Sequence, residues 1–294
     1  MQFHITHTTQ YKYNVPVGRC YNLAHMIPRD TRRQSCSRHH LRVSPQPSNA
    51  HKHADYFGNK AYFFTIQKNH DELEITVESE VTMEPVTQGA SLDLSPTCEE
   101  VYQRLHKSHE SECLLAREYC LDSPMIRASE TLKGYAAQSM VNGRAFLASV
   151  MELNQRIFND FTYDPGFTTV ATPLHEVFEH KRGVCQDFAH FAIGCLRSLG
   201  YAARYVSGYL ETLPPPGQEK LVGADATHAW FEVYCPGDGW IEFDPTNNTM
   251  AAEQHIVTAW GRDYSDVAPL RGVIFGGGDN HLLNVAVTVK REIS

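Results

Sequence analysis

Between Leu73 and Met83 the chain alternates: Leu73, Ile75, Val77, Val81 and Met83 fall on one side, and Glu74, Thr76, Glu78, Glu80 and Thr82 on the other. A side-chain period of two belongs to a strand with one buried and one wet face, and a helix cannot produce it. Phe3, Ile5 and His7 alternate in the same way, and Tyr62 to Gln67 is a β-favouring run. Pro45, Pro47, Gly58 and Asn59 are turn residues between these segments. Residues 1 to about 90 therefore read as a small antiparallel β-domain, with a sandwich as its expected form.

The pattern changes after an aperiodic segment, Glu84 to Thr97, that reads as a linker. Thr97 and Glu100 are spaced as a capping box, with Val101 and Leu105 one turn apart. Helical spacing continues through Leu114 to Tyr119 and returns at Phe146, Val150, Leu153, Ile157 and Phe161. Thr172-Pro173 opens another helix, which Gly183 is expected to end. The next helix begins at Cys185, carries Phe188, Ala192, Cys195 and Leu199 on its apolar face, and stops at Gly200. Strands are expected at Ala202–Leu210, His228–Cys235 and Trp240–Asp244, with a Pro-rich loop, LPPPGQEKLVGADA, before the second. Leu283, Val285, Val287 and Val289 close the chain at period two. Residues 91–294 thus describe an α+β unit, with helices first and an antiparallel sheet after.

Composition narrows the function. The 294 residues include 34 acidic side chains against 26 Lys and Arg, a net charge of -8, and no basic run stands out. Nucleic acid is excluded as a partner, because phosphate binding needs a basic face. No apolar run reaches the roughly 18 to 20 residues that span a bilayer, and the opening MQFHITHTTQYKYNV lacks the pattern of a signal peptide. The expected compartment is the cytoplasm. None of the eight cysteines forms a C-x-x-C pair; reduced thiols are expected, seven of them buried and inert.

Cys185 stands apart. It follows Gly183 and Val184 at the start of a helix, where unpaired N–H groups and the helix dipole favour a thiolate. Its own backbone N–H is also placed to meet a developing oxyanion. In the strand THAWFEVYC, Ala229, Phe231, Val233 and Cys235 form the core face, so His228, Trp230 and Glu232 face the other way. In WIEFDP, Trp240, Glu242 and Asp244 share a face. A hairpin with Tyr234 opposite Trp240 sets Asp244 one diagonal step from His228. The register shifted by one would mix core and polar faces. A helix-start Cys, a strand His and a strand Asp make a nucleophile, a base and an orienter.

The segments Arg182-GVCQDFAHF, Thr227-HAWFEVY and Phe243-DPTNN resemble the three catalytic blocks of the transglutaminase-like superfamily, nearest to its bacterial, cysteine-protease-like branch. GRDYSDVAPLRG (Gly261 to Gly272) and the β-rich first region are also similar to that branch. The resemblance implies a papain-like core behind a bacterial transglutaminase-like N-terminal β-domain. It places the family's nucleophile on Cys185, its base on His228 and its orienting carboxylate on Asp244. The implied chemistry is acyl transfer at an amide of a peptide or protein, with hydrolysis favoured over transamidation and neither cofactor nor metal called for. A module that keeps the fold for binding alone is the rival reading.

Other candidates carry less. His190 is expected to be packed or solvated, and Asp187 to bond within the start of the helix. Glu232 competes with Asp244 as orienter but points away along the sheet. The His-rich stretch His39 to His53 lacks carboxylates or Cys at ligand spacing and reads as surface loop. Asp263 and Asp266, flanking Tyr264, fit a groove or a simple turn equally well. The first 90 residues offer no paired nucleophile and base, so that region is expected to shape access to the site without supplying a catalytic side chain.

Overall fold

The computed structural model of the protein describes residues 1–85, 91–212 and 225–292. Most of the Pro-rich loop and the middle of the expected linker lie outside the described residues. Five strands come first: β1 (Gln2–Ala24), β2 (Gln34–Ser44), β3 (Asn49–Ala54), β4 (Lys60–Ile66) and β5 (His70–Met83). Then follow α1 (Cys98–Lys107), α2 (Ser111–Ala116), α3 (Glu130–Ala136), α4 (Phe146–Asp160), β6 (Thr162–Tyr163), α5 (Leu174–His180), β7 (Arg182–Gly183) and α6 (Cys185–Ser198). The chain continues through β8 (Ala203–Leu210), β9 (Ala226–Cys235), β10 (Gly239–Asp244), β11 (Thr249–Met250) and β12 (His255–Gly261). It ends with α7 (Tyr264–Val267), β13 (Leu270–Gly276) and β14 (His281–Glu292). The architecture is α+β, as the two sequence patterns imply.

The first sheet is not a sandwich. It is one antiparallel sheet of seven strands in the order β2-β5-β1-β4-β3, with β13 and β14 also paired to β1. β1 is 23 residues long and changes partners midway. Gln2 to Lys12 pair with β5 and Gln2 to Tyr13 with β14, whereas Val17 to Ala24 pair with β13 and the last five residues with β4. The register breaks between Lys12 and Val17, where Pro16 has no N–H to give a ladder. Bent there, the sheet curls until its two ends approach: Lys52 Nζ on β3 lies 2.9 Å from His39 Nε2 on β2. The stretch expected as a His-rich surface loop is thus largely two strands, with His51 and His53 exposed on β3. The closing run of apolar residues, read with the second unit, is hydrogen-bonded into this first sheet.

The second sheet has the order β11-β10-β9-β8-β12. On one face lies α6, whose Phe188, Phe191, Ala192 and Leu196 share a core with Phe231, Val233 and Phe243. The other face is buried too. Val206, Trp230 and Val257 form a cluster there, and Tyr209 and Ile256 pack with Phe3, Ile5, Val81 and Met83 of the first sheet. The side expected to be polar therefore carries Trp230 without any exposure.

The first sheet's unit also grips the outer edge of β12 with side-chain amides. Val257 N–H donates to Gln34 Oε1 at 2.8 Å, and Gln34 Nε2 donates to Val257 O at 2.8 Å. Asn59 repeats the arrangement at Trp260, accepting from its N–H at 3.0 Å and donating to its carbonyl at 2.9 Å. Each amide supplies the donor and acceptor that a neighbouring strand would have supplied.

Candidate active site

The α5–α6 junction sets the position of Cys185. α5 ends earlier than Gly183, at His180, because Lys181 adopts a left-handed conformation with φ of 50°. Arg182 and Gly183 then pair in parallel with Thr162 and Tyr163, and Val184 leads into α6. Asp187 Oδ2 accepts the Val184 N–H at 2.8 Å and the Thr168 hydroxyl at 2.6 Å. This carboxylate satisfies a free amide at the helix start, as expected. Gly183 has no alternative: a Cβ there would sit 2.6 Å from Asp187 Oδ2. Cys185 is thus held as the first residue of α6, half-buried, in the first turn whose N–H groups have no partner within the helix.

The β9–β10 hairpin supplies the partners. Its register pairs Trp240 with Tyr234 and Phe243 with Phe231, the pairing the amphipathic pattern selects. His228 Nε2 lies 2.8 Å from Asp244 Oδ2, and Cys185 lies near enough to the same ring to raise it. With Nε2 committed to the carboxylate, Nδ1 is left for the thiol. The three sequence-derived candidates are thus brought together by one helix start and one hairpin.

Asp244 has no exposure and is saturated with donors. Its Oδ1 accepts the backbone N–H groups of Thr246 at 2.9 Å and Asn247 at 3.2 Å. Its Oδ2 accepts from His228, from Asn247 Nδ2 at 2.7 Å and from His255 Nε2 at 3.0 Å. Burial disfavours its charge, but the bonds from His228, His255 and Asn247 outweigh that and hold the carboxyl well below the usual range. For His228 burial also opposes charge, yet Asp244 and Cys185 together raise it to about 10. His228 therefore keeps its second proton through neutral pH.

His228, Asp244 and His255 are a trio of metal-ligand types with their donor atoms close together. Their hydrogen bonding points elsewhere. His255 Nδ1 accepts the Ala252 N–H at 3.2 Å, so in the neutral ring the proton sits on Nε2 and faces Asp244. An N–H aimed at a carboxylate is the opposite of a ligating lone pair.

His255 and Asn247 were not singled out in the sequence. Asn247 lay in plain view inside the FDPTNN block. His255 opens β12, a strand missed altogether, although the run IVTAW after the polar NNT was a usable β signal. Glu232, the rival orienter, is ion-paired with Arg204, whose guanidinium stacks between Trp240 and Trp260 at 4.1 and 3.8 Å. It does not reach His228. His190 is buried, accepts the Tyr264 N–H at 3.1 Å, and is lowered to about 4 by burial. Asp263 caps α7 and accepts the Met125 N–H, while Asp266 pairs with Arg262; of the two roles left open for them, the turn role is the one formed. A cavity of about 580 Å³ is lined by Leu132, Phe178, Asp187 and His190 among others, on the side of α6 turned from Cys185.

With this geometry in hand, the comparisons with known proteins give its class. Residues 3–82 match the bacterial transglutaminase-like N-terminal region, and residues 133–245 match the transglutaminase-like superfamily. The chain belongs to the transglutaminase-like superfamily and carries the bacterial N-terminal region. It is 38% identical over 292 residues to an uncharacterized protein of Mycobacterium tuberculosis, covering 98% of this chain and 92% of that one. An uncharacterized protein of Mycobacterium leprae is 31% identical over 290 residues, with 98% of each covered. A stretch of 106 residues, 34% of this chain and 16% of the relative, is 38% identical to a protein-glutamine gamma-glutamyltransferase of Pseudomonas aeruginosa. Among solved structures, "a Putative Cysteine Protease" from Cytophaga hutchinsonii superposes with a TM-score of 0.73 at 20% identity, covering 100% of this chain and 92% of that one. The likeness is one of fold. No helix among the described residues is long and apolar enough to cross a membrane.

Proposed function

We propose that the protein is a cysteine-nucleophile acyl-transfer enzyme that hydrolyses amide bonds of a peptide or protein, with Cys185, His228 and Asp244 as its catalytic group. The observation that carries this reading is His228 bonded to Asp244 through Nε2 at 2.8 Å, with Cys185 near enough to raise the same ring. The Cys185 thiolate attacks the amide carbonyl, and the helix-start N–H of Cys185 faces the developing oxyanion. The His228 imidazolium gives its Nδ1 proton to the departing amine as the C–N bond breaks, leaving a thioester. Acylation removes the thiolate charge that helped raise His228, so the ring, having given up its proton, stays neutral and is free to act as general base. It takes a proton from water as the water oxygen attacks, and the C–S bond of the thioester breaks to a carboxylic acid and the Cys185 thiolate, restoring the thiolate–imidazolium pair.

The experiment is turnover of a mixed peptide library by the full chain, with and without a primary amine, read by mass spectrometry. Cleaved peptides or deamidated side chains that vanish in Cys185→Ala support the reading. Amine adducts formed in preference to hydrolysis would make the enzyme a transamidase. Products unchanged in Cys185→Ala would remove the catalytic group altogether.

A further inference from the structure

His255 lies outside the three-residue group but is bonded to it at Asp244. It is 1% exposed. Its ring is wedged edge-on against Trp230 at 5.2 Å and lies 6.2 Å from the His228 ring. Nε2 reaches the same Asp244 oxygen that His228 uses. Ala252 N–H occupies Nδ1. Burial, the largest influence on this ring, keeps it below the ordinary imidazole value despite Asp244. His255 is therefore a neutral donor of fixed tautomer beside a histidine that carries charge.

What holds His255 is the first residue position of β12, and β12 is an edge strand of the second sheet. Its inner side pairs with β8, where Ile256 lies opposite Tyr209 and Val257 opposite Gly208. Among the described residues its outer side has no strand partner in that sheet. Two residues after His255, both backbone groups of Val257 are taken by the Gln34 side chain, and Val257 O also accepts the Arg29 N–H at 3.2 Å. Gln34 is 2% exposed and sits at the start of β2 in the first sheet. Without these bonds the strand end that carries His255 would have a free edge.

We propose that Gln34 and His255 form a positioning relay, in which the N-terminal sheet fixes β12 and His255 thereby holds the Asp244 carboxylate in line with His228. His255 contributes no proton to the reaction. Its N–H, with that of Asn247, fills the remaining acceptor directions of Oδ2, so the carboxylate cannot rotate away from His228 without leaving buried donors unpaired. The N-terminal sheet is then a component of the site's rigidity. The inference rests on the acyl-transfer reading above.

The test is the rate at which iodoacetamide alkylates Cys185 in the full chain, followed by mass spectrometry across pH, with the melting temperature of each variant alongside. His255→Phe keeps the ring volume and loses the donor; it is expected to slow alkylation about 10- to 100-fold at mildly acidic pH and to move the acid limb of the profile upward. His255→Gln keeps an N–H near the Nε2 position and is expected to stay within about threefold of wild type. Gln34→Leu is expected to slow the rate about severalfold, with the Gln34→Leu/His255→Phe double variant no slower than His255→Phe alone. A His255→Phe profile equal to wild type overturns the relay. So do equal losses in the Gln and Phe variants that track their melting temperatures, which assign His255 to folding alone. If His255→Phe does not fold, nitrogen-15 imidazole spectra of the wild-type chain decide. His255 must stay neutral with its proton on Nε2 at neutral pH, and a charged ring or a proton on Nδ1 overturns the proposal. A wild-type Cys185 no more reactive than Cys36 or Cys120 defeats the acyl-transfer reading itself, a failure separate from that of the relay.

Discussion

Trp230 donates its indole N–H to Glu242 Oε2 at 2.8 Å along the same diagonal of the β9–β10 hairpin that joins His228 to Asp244. Each donor on β9 meets an acceptor two residues short of its directly opposite position. The repeat shows that the proposed catalytic pair uses the ordinary geometry of a twisted antiparallel pair. Glu242 itself is raised to about 7, first by burial and then by the charge of Glu232.

Cys185 is expected to be the most reactive thiol at mildly acidic pH. Its competitors are Cys36 and Cys120, the other two cysteines that are not fully buried. Burial pushes the Cys120 thiol up to about 11 and raises Cys36 as well, so each holds little thiolate where a His228-paired thiol can react. Iodoacetamide mapping by peptide mass spectrometry checks this. Faster labelling of Cys36 or Cys120 than of Cys185 would remove the proposed nucleophile.

Asp244→Asn is expected to lower kcat by about 10² to 10⁴ with a smaller change in KM. The physical cause is specific to this pocket. Oδ1 takes two backbone N–H groups and Oδ2 takes three side-chain donors. Whichever way an asparagine amide is turned, its NH₂ faces donors. A stability loss of about 1–3 kcal/mol is expected alongside. Thermal denaturation and steady-state kinetics on one preparation separate the two, and an unchanged kcat would exclude Asp244 from the mechanism.

Gly183→Ala is expected to damage the site without touching a catalytic side chain. The new methyl would press on Asp187, which holds the Val184 amide and with it the first turn of α6. Overpacking of this kind costs about 1–3 kcal/mol, and the displaced helix start should slow alkylation of Cys185. If the melting temperature falls while the alkylation rate stays at wild type, Asp187 does not position the nucleophile.

The hairpin register and the helix start were legible because both follow from local patterns: period-two alternation on β9 and β10, and a Gly before an apolar helical face. What was illegible depends on partners far along the chain. Trp230 looked like a polar-face residue because nothing local announces the cluster with Val206 and Val257 that buries it. The sandwich expectation failed because β1 reads as one strand, while its pairing with β13 and β14 joins residues more than 240 apart. His255 was missed for the same reason. Its importance lies in a contact with Asp244, and a lone His before a short apolar run has no periodic signature.

Acid is expected to loosen the joint between the sheets before it affects Asp244. His7 on β1 is buried against Tyr209 on β8, 2.9 Å from its hydroxyl, and burial lowers it to about 4. The same cause lowers His190 to about 4. A histidine whose folded value is depressed binds its proton more readily when unfolded. Stability should therefore fall as pH drops from the ordinary imidazole value near 6.5 toward 4, and level off below. His228 acts in the opposite direction: raised to about 10, it adds stability that is full below about 6.5 and is lost as pH rises toward 10. Urea denaturation across pH, with His7→Gln and His228→Gln, checks both limbs. An acid slope unchanged in His7→Gln would assign it elsewhere.

A chain beginning near Leu94 is expected to lose Cys185 reactivity. The sequence alone predicts instead that such a truncation keeps Cys185 reactive toward a small electrophile and loses only affinity for larger substrates, since all three catalytic candidates follow residue 180. It would, however, remove β1, the strand to which β13 and β14 are bonded along most of their length. Leu282, Leu283 and Val285, already exposed on β14, would then sit on a strand stripped of its ladder, a condition that favours aggregation. The same cut would take away Gln34 and Asn59, and with them the bonds on the outer edge of β12 beside His255. Tyr209 would lose the cover of Phe3 and Ile5, and Trp260 that of Arg29. The measurement is alkylation of Cys185 in the truncated chain, with circular dichroism to establish how much of it folds. A folded, monomeric truncation with wild-type reactivity would show that the second sheet holds its catalytic hairpin unaided.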